Sequence, residues 1–432
     1  MQKIKIIHIL SHEPPENHLK FDDPLQLNEF TPIEYINFPE SIKPLYFFKG
    51  DHHIIAGQEL LKLTNEYDIE CWRPYNSEIK QVCSKTIEGI THRIFPAKLL
   101  SIKHFGKFLW SEDMYQYITK MVDEKERFLL NIGVGHAWFH IWLMLKLRHI
   151  KNLFPIVCLH RSGGFRAFEF KNLPAWKKLY RFHYLIESVL DLYSLKYSDQ
   201  NYSGSRIEAQ FLEHKKGINS SFFMEGIDFK DFNSVNDKIQ IRMELGLPLH
   251  KKIMIVTGNF RSSDYGYQHL IKSFAQIREK ADDLALVMIG GYKHEDLYEV
   301  GLKSGAIMVE RKPKEILRKY LQACDFYGQP SFHYGFINFG GFGSAMIEAL
   351  ACGLPVISNN IIHFPGTDSE RAKIGLAHPT HNDLTEAMLY MKDNFQNYTE
   401  CRTLAKKYFD INDTRYVLLN KYKELIRKYY SL

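Results

Sequence analysis

The segment GGFGSAMIEALACGLPVIS, residues 340 to 358, holds one carboxylate, Glu348, inside an apolar run that opens on glycines. An ionised acid flanked by Met346, Ile347, Ala349 and Leu350 needs a partner. On a helix that starts at Gly343 it sits about 7.5 Å along the axis from the first turn, close to the distance between a nucleotide's pyrophosphate and its ribose hydroxyls. There an acid can accept two ribose hydrogen bonds, while the helix N-terminus faces phosphate. The alternative is a partly buried carboxylate satisfied by a neighbour or by water.

Two more glycine loops have the same character. Gly258 and Arg261 follow the apolar run KIMIVT, and Gly290 and Gly291 follow LALVMI. Glycine lets backbone approach a phosphate closely, and it also serves tight βα turns for steric reasons alone. Taken with the loop before Glu348, the three point to an anionic ligand. His136 and His140 have the i,i+4 spacing of a metal pair, but no third ligand accompanies them, and packing at a helix start is the simpler reading. Asn131 and His136 are candidates for the acceptor side of a site.

These residues must be held by strands. KIKIIHIL (3–10), RFLLNI (127–132) and FPIVCL (154–159) read as buried parallel strands, separated by helical stretches after His53, Asp113 and Pro174. The alternation resumes in KIMIVT (252–257), LALVMI (284–289), AIMV (306–309), DFYG (325–328) and PVIS (355–358). This is the βαβ signature of doubly wound sheets, so the fold class is α/β with two Rossmann-like domains. In such sheets ligands lie at the carboxyl ends of the strands. The Asp-, Asn- and Gly-rich stretch 224–238 marks the boundary. The expected domains are 1–228, 229–412, and a helix over 413–432 that packs back on the first. Ser205 and Glu208 are spaced as a capping box for the last helix of the first domain.

Composition sets the outer bounds. A chain of 432 residues exceeds one ordinary core, and the formal charge of +6 is too small at this size to argue for nucleic acid. The six cysteines form no CxxC pair, which suits a reducing compartment. The N-terminus lacks a cleavage-site pattern and no apolar run reaches membrane-span length, so a cytoplasmic protein is expected. The run FKNLPAWKKLYRFHYLIESVL mixes Lys177, Lys178 and Arg181 with Trp176, Tyr180 and Tyr184. That suits an interfacial helix at the inner face of an anionic membrane, against the alternative of a solvated face with a core stripe.

The segment PSFHYGFINFGGFGSAMIEALACGLPVIS resembles the donor-site motif of family 4 glycosyltransferases. KYSDQNYSGSRIEAQFL (196–212), MEGIDFKDF (224–232), the GNFR loop and QACDF (322–326) follow in the order of that family. The resemblance is detailed from about His160 onward and holds only in outline before it. It implies a GT-B fold whose second domain holds a nucleotide sugar and whose first selects the acceptor. It also implies transfer with retention, without a cofactor and without an obligatory metal.

By the same resemblance, Glu348 is the ribose-binding acid, Gly343 and Ser344 offer amides to the diphosphate, Arg261 is the basic loop residue, and His160 lies beside the donor sugar. Arg161, Ser162 and Gly163 extend the His160 loop. Two positions depart from the pattern. The first glutamate of the paired-acid motif is Gly340, and the loop lysine before Gly266 is Tyr265. His333 or Asn338, and Arg206 or Lys312, are candidate substitutes.

The resulting expectation is a retaining hexosyltransferase of polysaccharide biosynthesis type, using a nucleotide-diphosphate sugar and a glycan, lipid-linked or small-molecule acceptor. The alternative is a catalytically impaired GT-B protein that binds a sugar nucleotide or glycan, or supports another transferase. A nicotinamide dehydrogenase is disfavoured, because no GxGxxG follows the first strand.

Overall fold

A computed structural model describes residues 3–10, 32–36, 45–48, 52–75, 80–87, 89–102, 106–134, 138–160, 175–180, 182–235, 237–260, 266–279, 282–292, 295–310, 312–330, 341–377 and 381–431. The chain divides into two compact units, Met1–Met224 with Arg415–Leu432, and Glu225–Thr414.

Among the described residues, the main sheet of the first unit has eight strands: β1 (Ile4–Ile9), β2 (Tyr67–Tyr75), β3 (Cys83–Ile87), β4 (Ile90–Pro96), β5 (Phe128–Val134), β6 (Ile156–His160), β7 (Gln200–Ser203) and β8 (Ser220–Phe222). Their order is β8-β7-β6-β5-β1-β2-β4-β3, parallel except for the β3–β4 pair. β1 is buried on both faces, with Ile6 in one core cluster and Ile7 and Ile9 in another. That is why its sequence is continuously apolar rather than alternating. The helices are α1 (His52–Leu63), α2 (Glu112–Asp123), α3 (Phe139–Leu147), α4 (Ala175–Tyr180), α5 (His183–Leu195) and the short α6 (Arg206–Gln210). Ser111 caps α2 by accepting from the Met114 amide at 3.2 Å, and Glu112 and Asp113 complement the helix dipole.

The second unit is a six-stranded parallel sheet among the described residues: β9 (Lys252–Phe260), β10 (Leu284–Tyr292), β11 (Ile307–Glu310), β12 (Phe326–Gly328), β13 (Val356–Ile357) and β14 (Gly375–Leu376). The order is β11-β10-β9-β12-β13-β14. The progression of strands therefore reverses between β9 and β12, the topological switch point where open α/β sheets bind ligands. The longer helices are α7 (Lys238–Glu244), α8 (Tyr267–Arg278), α9 (Glu295–Lys303), α10 (Lys314–Ala323), α11 (Ser344–Ala351), α12 (His381–Asn394) and α13 (Cys401–Phe409). Buried Asp325 locks the amino end of this sheet, accepting from Arg242 Nη2 and from the Ile253 amide, each at 2.8 Å.

A last helix, α14 (Ile411–Tyr430), passes from the second unit's residues into the first's. Its Leu418, Leu419, Tyr422, Leu425 and Ile426 join the core formed by Ile4, Leu60 and Tyr67. The Tyr430 hydroxyl donates to the Phe128 carbonyl at 2.7 Å.

Candidate functional site

Glu348 stands on α11, and its surroundings can be built from the sheet upward. β9 and β12 flank the switch point and are tied across it by Thr257 Oγ1 and the Tyr327 hydroxyl, 3.1 Å apart. Gly258 and Gly290 face each other in register at the carboxyl ends of β9 and β10. α11 begins after Gly343, whose φ of 87° lies in the region that side-chain-bearing residues rarely adopt. A Cβ there would meet only the Gln329 carboxamide and Met346 at ordinary contact distance, so the backbone angle, and not space, requires glycine.

No side chain caps α11, and Ser344 in its first turn is exposed. Its leading N–H groups are therefore available to an anion. The far end is closed firmly. Gly353, at φ 85°, gives its amide to the Leu350 carbonyl at 2.9 Å, and Leu354 gives its amide to Ala349 at 3.0 Å, forming a Schellman motif. Arg402 from α13 donates to the Ala351 and Phe232 carbonyls and, at 2.8 Å, to the Phe229 carbonyl. A cation at the C-terminus of the helix both satisfies orphan carbonyls and opposes its dipole.

Among the described residues, no group hydrogen-bonds to the Glu348 carboxylate and no cation pairs with it in direct contact. Burial raises its pKa above the ordinary glutamate value, and the charges of Lys314 and Arg318 on α10 partly offset that shift. Arg318 lies 3.6 Å from Asp231 and stacks on Phe232. The neighbouring Tyr327 hydroxyl is pushed up to about 12, first by burial and also by the Glu348 charge. The side-chain oxygen of Gln329, just beyond β12, is buried and without a partner among the described residues. A half-buried carboxylate, a buried carboxamide oxygen without a partner among the described residues and an uncapped helix start thus lie together near the switch point.

Residues 237–407 match the model of the family described as glycosyl transferases group 1. That match places the second unit in the glycosyl transferases group 1 family. Over 346 residues it is 23% identical to a probable sucrose-phosphate synthase of Thermosipho melanesiensis, covering 74% of this chain and 79% of that one. The structure of sucrose-phosphate synthase from Thermosynechococcus elongatus aligns over 99% of this chain and 100% of that chain, with a TM-score of 0.65 at 16% identity. An Anabaena protein, HepE, solved with UDP and glucose, aligns over 98% of this chain and 100% of its own with a TM-score of 0.60 at 12% identity. The fold of the transferase is GT-B, as the sequence motifs implied.

The remaining candidates of the glycosyltransferase are placed as follows. His160 ends β6, in register with Val134 and Ser203. Its side chain lies outside the described residues, as do Arg261, His136, Arg161, Ser162, Gly163, Tyr265, His333, Asn338 and Gly340. Asn131 is buried in mid-strand, its amide nitrogen 3.0 Å from His8 Nδ1 and 2.7 Å from the Tyr422 hydroxyl. That side chain fastens α14 to the sheet. His140 is buried with Nε2 3.0 Å from Asp191 Oδ1, which gives the histidine an internal partner. Ser205 Oγ accepts from the Glu208 amide at 3.3 Å, while the Glu208 carboxylate accepts from Ser203 Oγ at 2.7 Å. Sequence reasoning missed Lys314, Arg318, Thr257, Tyr327 and Gln329. Lys314 and Arg318 stand one helical turn apart, a signal that a solvated helix face shares.

Proposed function

We propose that this transferase moves a hexose, with retention, from a nucleoside diphosphate sugar held by the second unit. The acceptor is a glycan, a lipid-linked sugar or a small hydroxylated molecule. The observation that carries the reading is the Glu348 carboxylate, half-buried and without a hydrogen-bond partner among the described residues, one turn inside an uncapped helix start. In this reading Glu348 accepts from both ribose hydroxyls, and the amides of Gly343 and Ser344 meet the diphosphate. UDP is the first candidate, because the structurally similar HepE was solved with it.

The chemistry follows from where charge develops. The bond from the sugar's anomeric carbon to the diphosphate oxygen breaks, a bond to the acceptor oxygen forms, and the acceptor's proton passes to the departing diphosphate. Negative charge grows on the departing nucleoside diphosphate, so fixed N–H groups and cations aimed at it lower the barrier. Gly258 and Gly290 give a donor close access to backbone at the ends of β9 and β10. By the sequence resemblance, Arg261 is the basic loop residue for the diphosphate and His160 the histidine for the donor sugar. The reading needs neither metal nor cofactor, so turnover should persist in excess EDTA.

Calorimetric titration with UDP, GDP and ADP tests it. One nucleotide should bind clearly better than the others, and Glu348→Ala should weaken that binding by about 10- to 100-fold through loss of two charge-assisted hydrogen bonds. The same affinity in a folded Glu348→Ala protein would reject the ribose assignment.

A further inference from the structure

Helix α5 mixes polar and apolar residues on its buried face, where His183, Glu187, Ser188 and Ser194 accompany Tyr184 and Leu195, while Ile186, Val189 and Tyr193, with Phe182 at its N-cap, are exposed. Those exposed residues recur at i, i+4, i+7 and i+11 and so form one stripe along the helix and its N-cap. Leu179 of α4 is a further exposed apolar side chain just before it, 79% open, and Val189 is 66% open. Scattered exposed hydrophobics are ordinary, but a helix whose outward stripe is apolar marks a contact surface.

Charge identifies the other side of that contact. The acids of α5 are Glu187, which is buried, and Asp191, which faces His140. Lys196 is exposed where α5 ends, and Lys178 precedes the stripe on α4. Tyr197 extends the stripe beyond Tyr193, their rings 5.4 Å apart. Lys151 Nζ stands 5.5 Å from the Tyr197 ring centroid, and the charge of Arg148 also acts on Tyr197. The surface is apolar along its middle and basic at both ends, with its own acids turned inward. We propose that this face of α4 and α5 rests on an anionic lipid bilayer, its apolar side chains entering the headgroup boundary and its lysines meeting the lipid phosphates. The proposal stands on the surface itself and is independent of the nucleotide assignment.

Vesicle flotation of the full chain tests this, using phosphatidylcholine alone and an equimolar mixture with phosphatidylglycerol. The protein should float with the anionic vesicles, less so as salt is raised, and poorly with the neutral ones. Leu179→Ser combined with Val189→Ser should cut that partitioning at least about tenfold while leaving the melting temperature and nucleotide affinity in place. Lys178→Glu with Lys196→Glu should remove most of the preference for anionic lipid, at about fivefold per charge, and serves as the second probe if the serine pair does not fold. Equal flotation of the wild type and a folded variant overturns the proposal, as does failure of the wild type to bind anionic vesicles. A wild-type dimer that the serine pair converts to monomer, with no lipid binding, would assign the stripe to self-association and reject the bilayer.

Discussion

At the scale of the residue, Glu348 carries a cost in folding, and in the proposed reading that cost serves binding. Burial without a partner raises its pKa, so the folded protein holds a proton more tightly there than the unfolded chain does. Between the ordinary glutamate value of 4.5 and the raised value, stability therefore falls as pH rises, and above that window the penalty is constant. Glu348→Gln removes the penalty at neutral pH and should stabilise the ligand-free protein by about 1–3 kcal/mol, or roughly 2–4 °C per kcal/mol. The same change should weaken nucleotide binding. For the wild type, affinity should fall on acidification at a pH above that expected for an exposed glutamate. Calorimetric melting with and without nucleotide across pH 4 to 8 checks both, and a Gln variant that is less stable yet binds normally would show that the carboxylate is structural. Glu348 stands out in the sequence as a candidate because a lone charge in an apolar helix has few bland explanations. Thr257 and Tyr327 do not, because a hydroxyl pair that closes across strands about 70 residues apart leaves no local pattern.

At the scale of the element, the anion-facing role proposed for α11 requires that its far end be anchored. Arg402 supplies that anchor, binding the carbonyls of Ala351, Phe232 and Phe229 with one guanidinium. Arg402→Met keeps much of the side-chain volume but strands these carbonyls, and should cost about 2–4 kcal/mol and loosen the nucleotide site with it. Arg402→Lys should rescue little, since a single ammonium cannot span the fork. Thermal melting and nucleotide titration of both variants decide the matter: a lysine variant equal to wild type would reduce the contact to simple charge. The elements themselves were legible where they were apolar, and each of the eight runs read as strands is a strand. β2, YDIECWRPY, was not, because Glu70 and Arg73 interrupt its pattern although both are buried. Glu70 is satisfied by Trp72 Nε1 at 2.6 Å and Arg93 Nε at 3.2 Å, partners that only the folded sheet brings near.

At the scale of the whole molecule, the first unit is finished by the last residues of the chain. Leu418, Leu419, Tyr422, Leu425 and Ile426 are buried in its core, Tyr422 accepts from Asn131, and Arg415 pairs with Glu59. Burying five such side chains is worth on the order of 8–15 kcal/mol, about the entire stability of a typical domain. A chain cut after Thr414 should therefore lose the first unit while the second, with its own core around Met254, Leu286 and Phe326, remains folded. Hydrogen exchange separates the two outcomes. Amides of β1 and β5 should exchange freely in the truncated protein while those of β9 and β10 stay protected. A synthetic α14 peptide added in excess should restore protection to β1 and β5 if burial of that helix is the missing term. Protection of β1 in the truncated chain without peptide would mean that the strands of the first unit suffice alone and that α14 covers a core already formed.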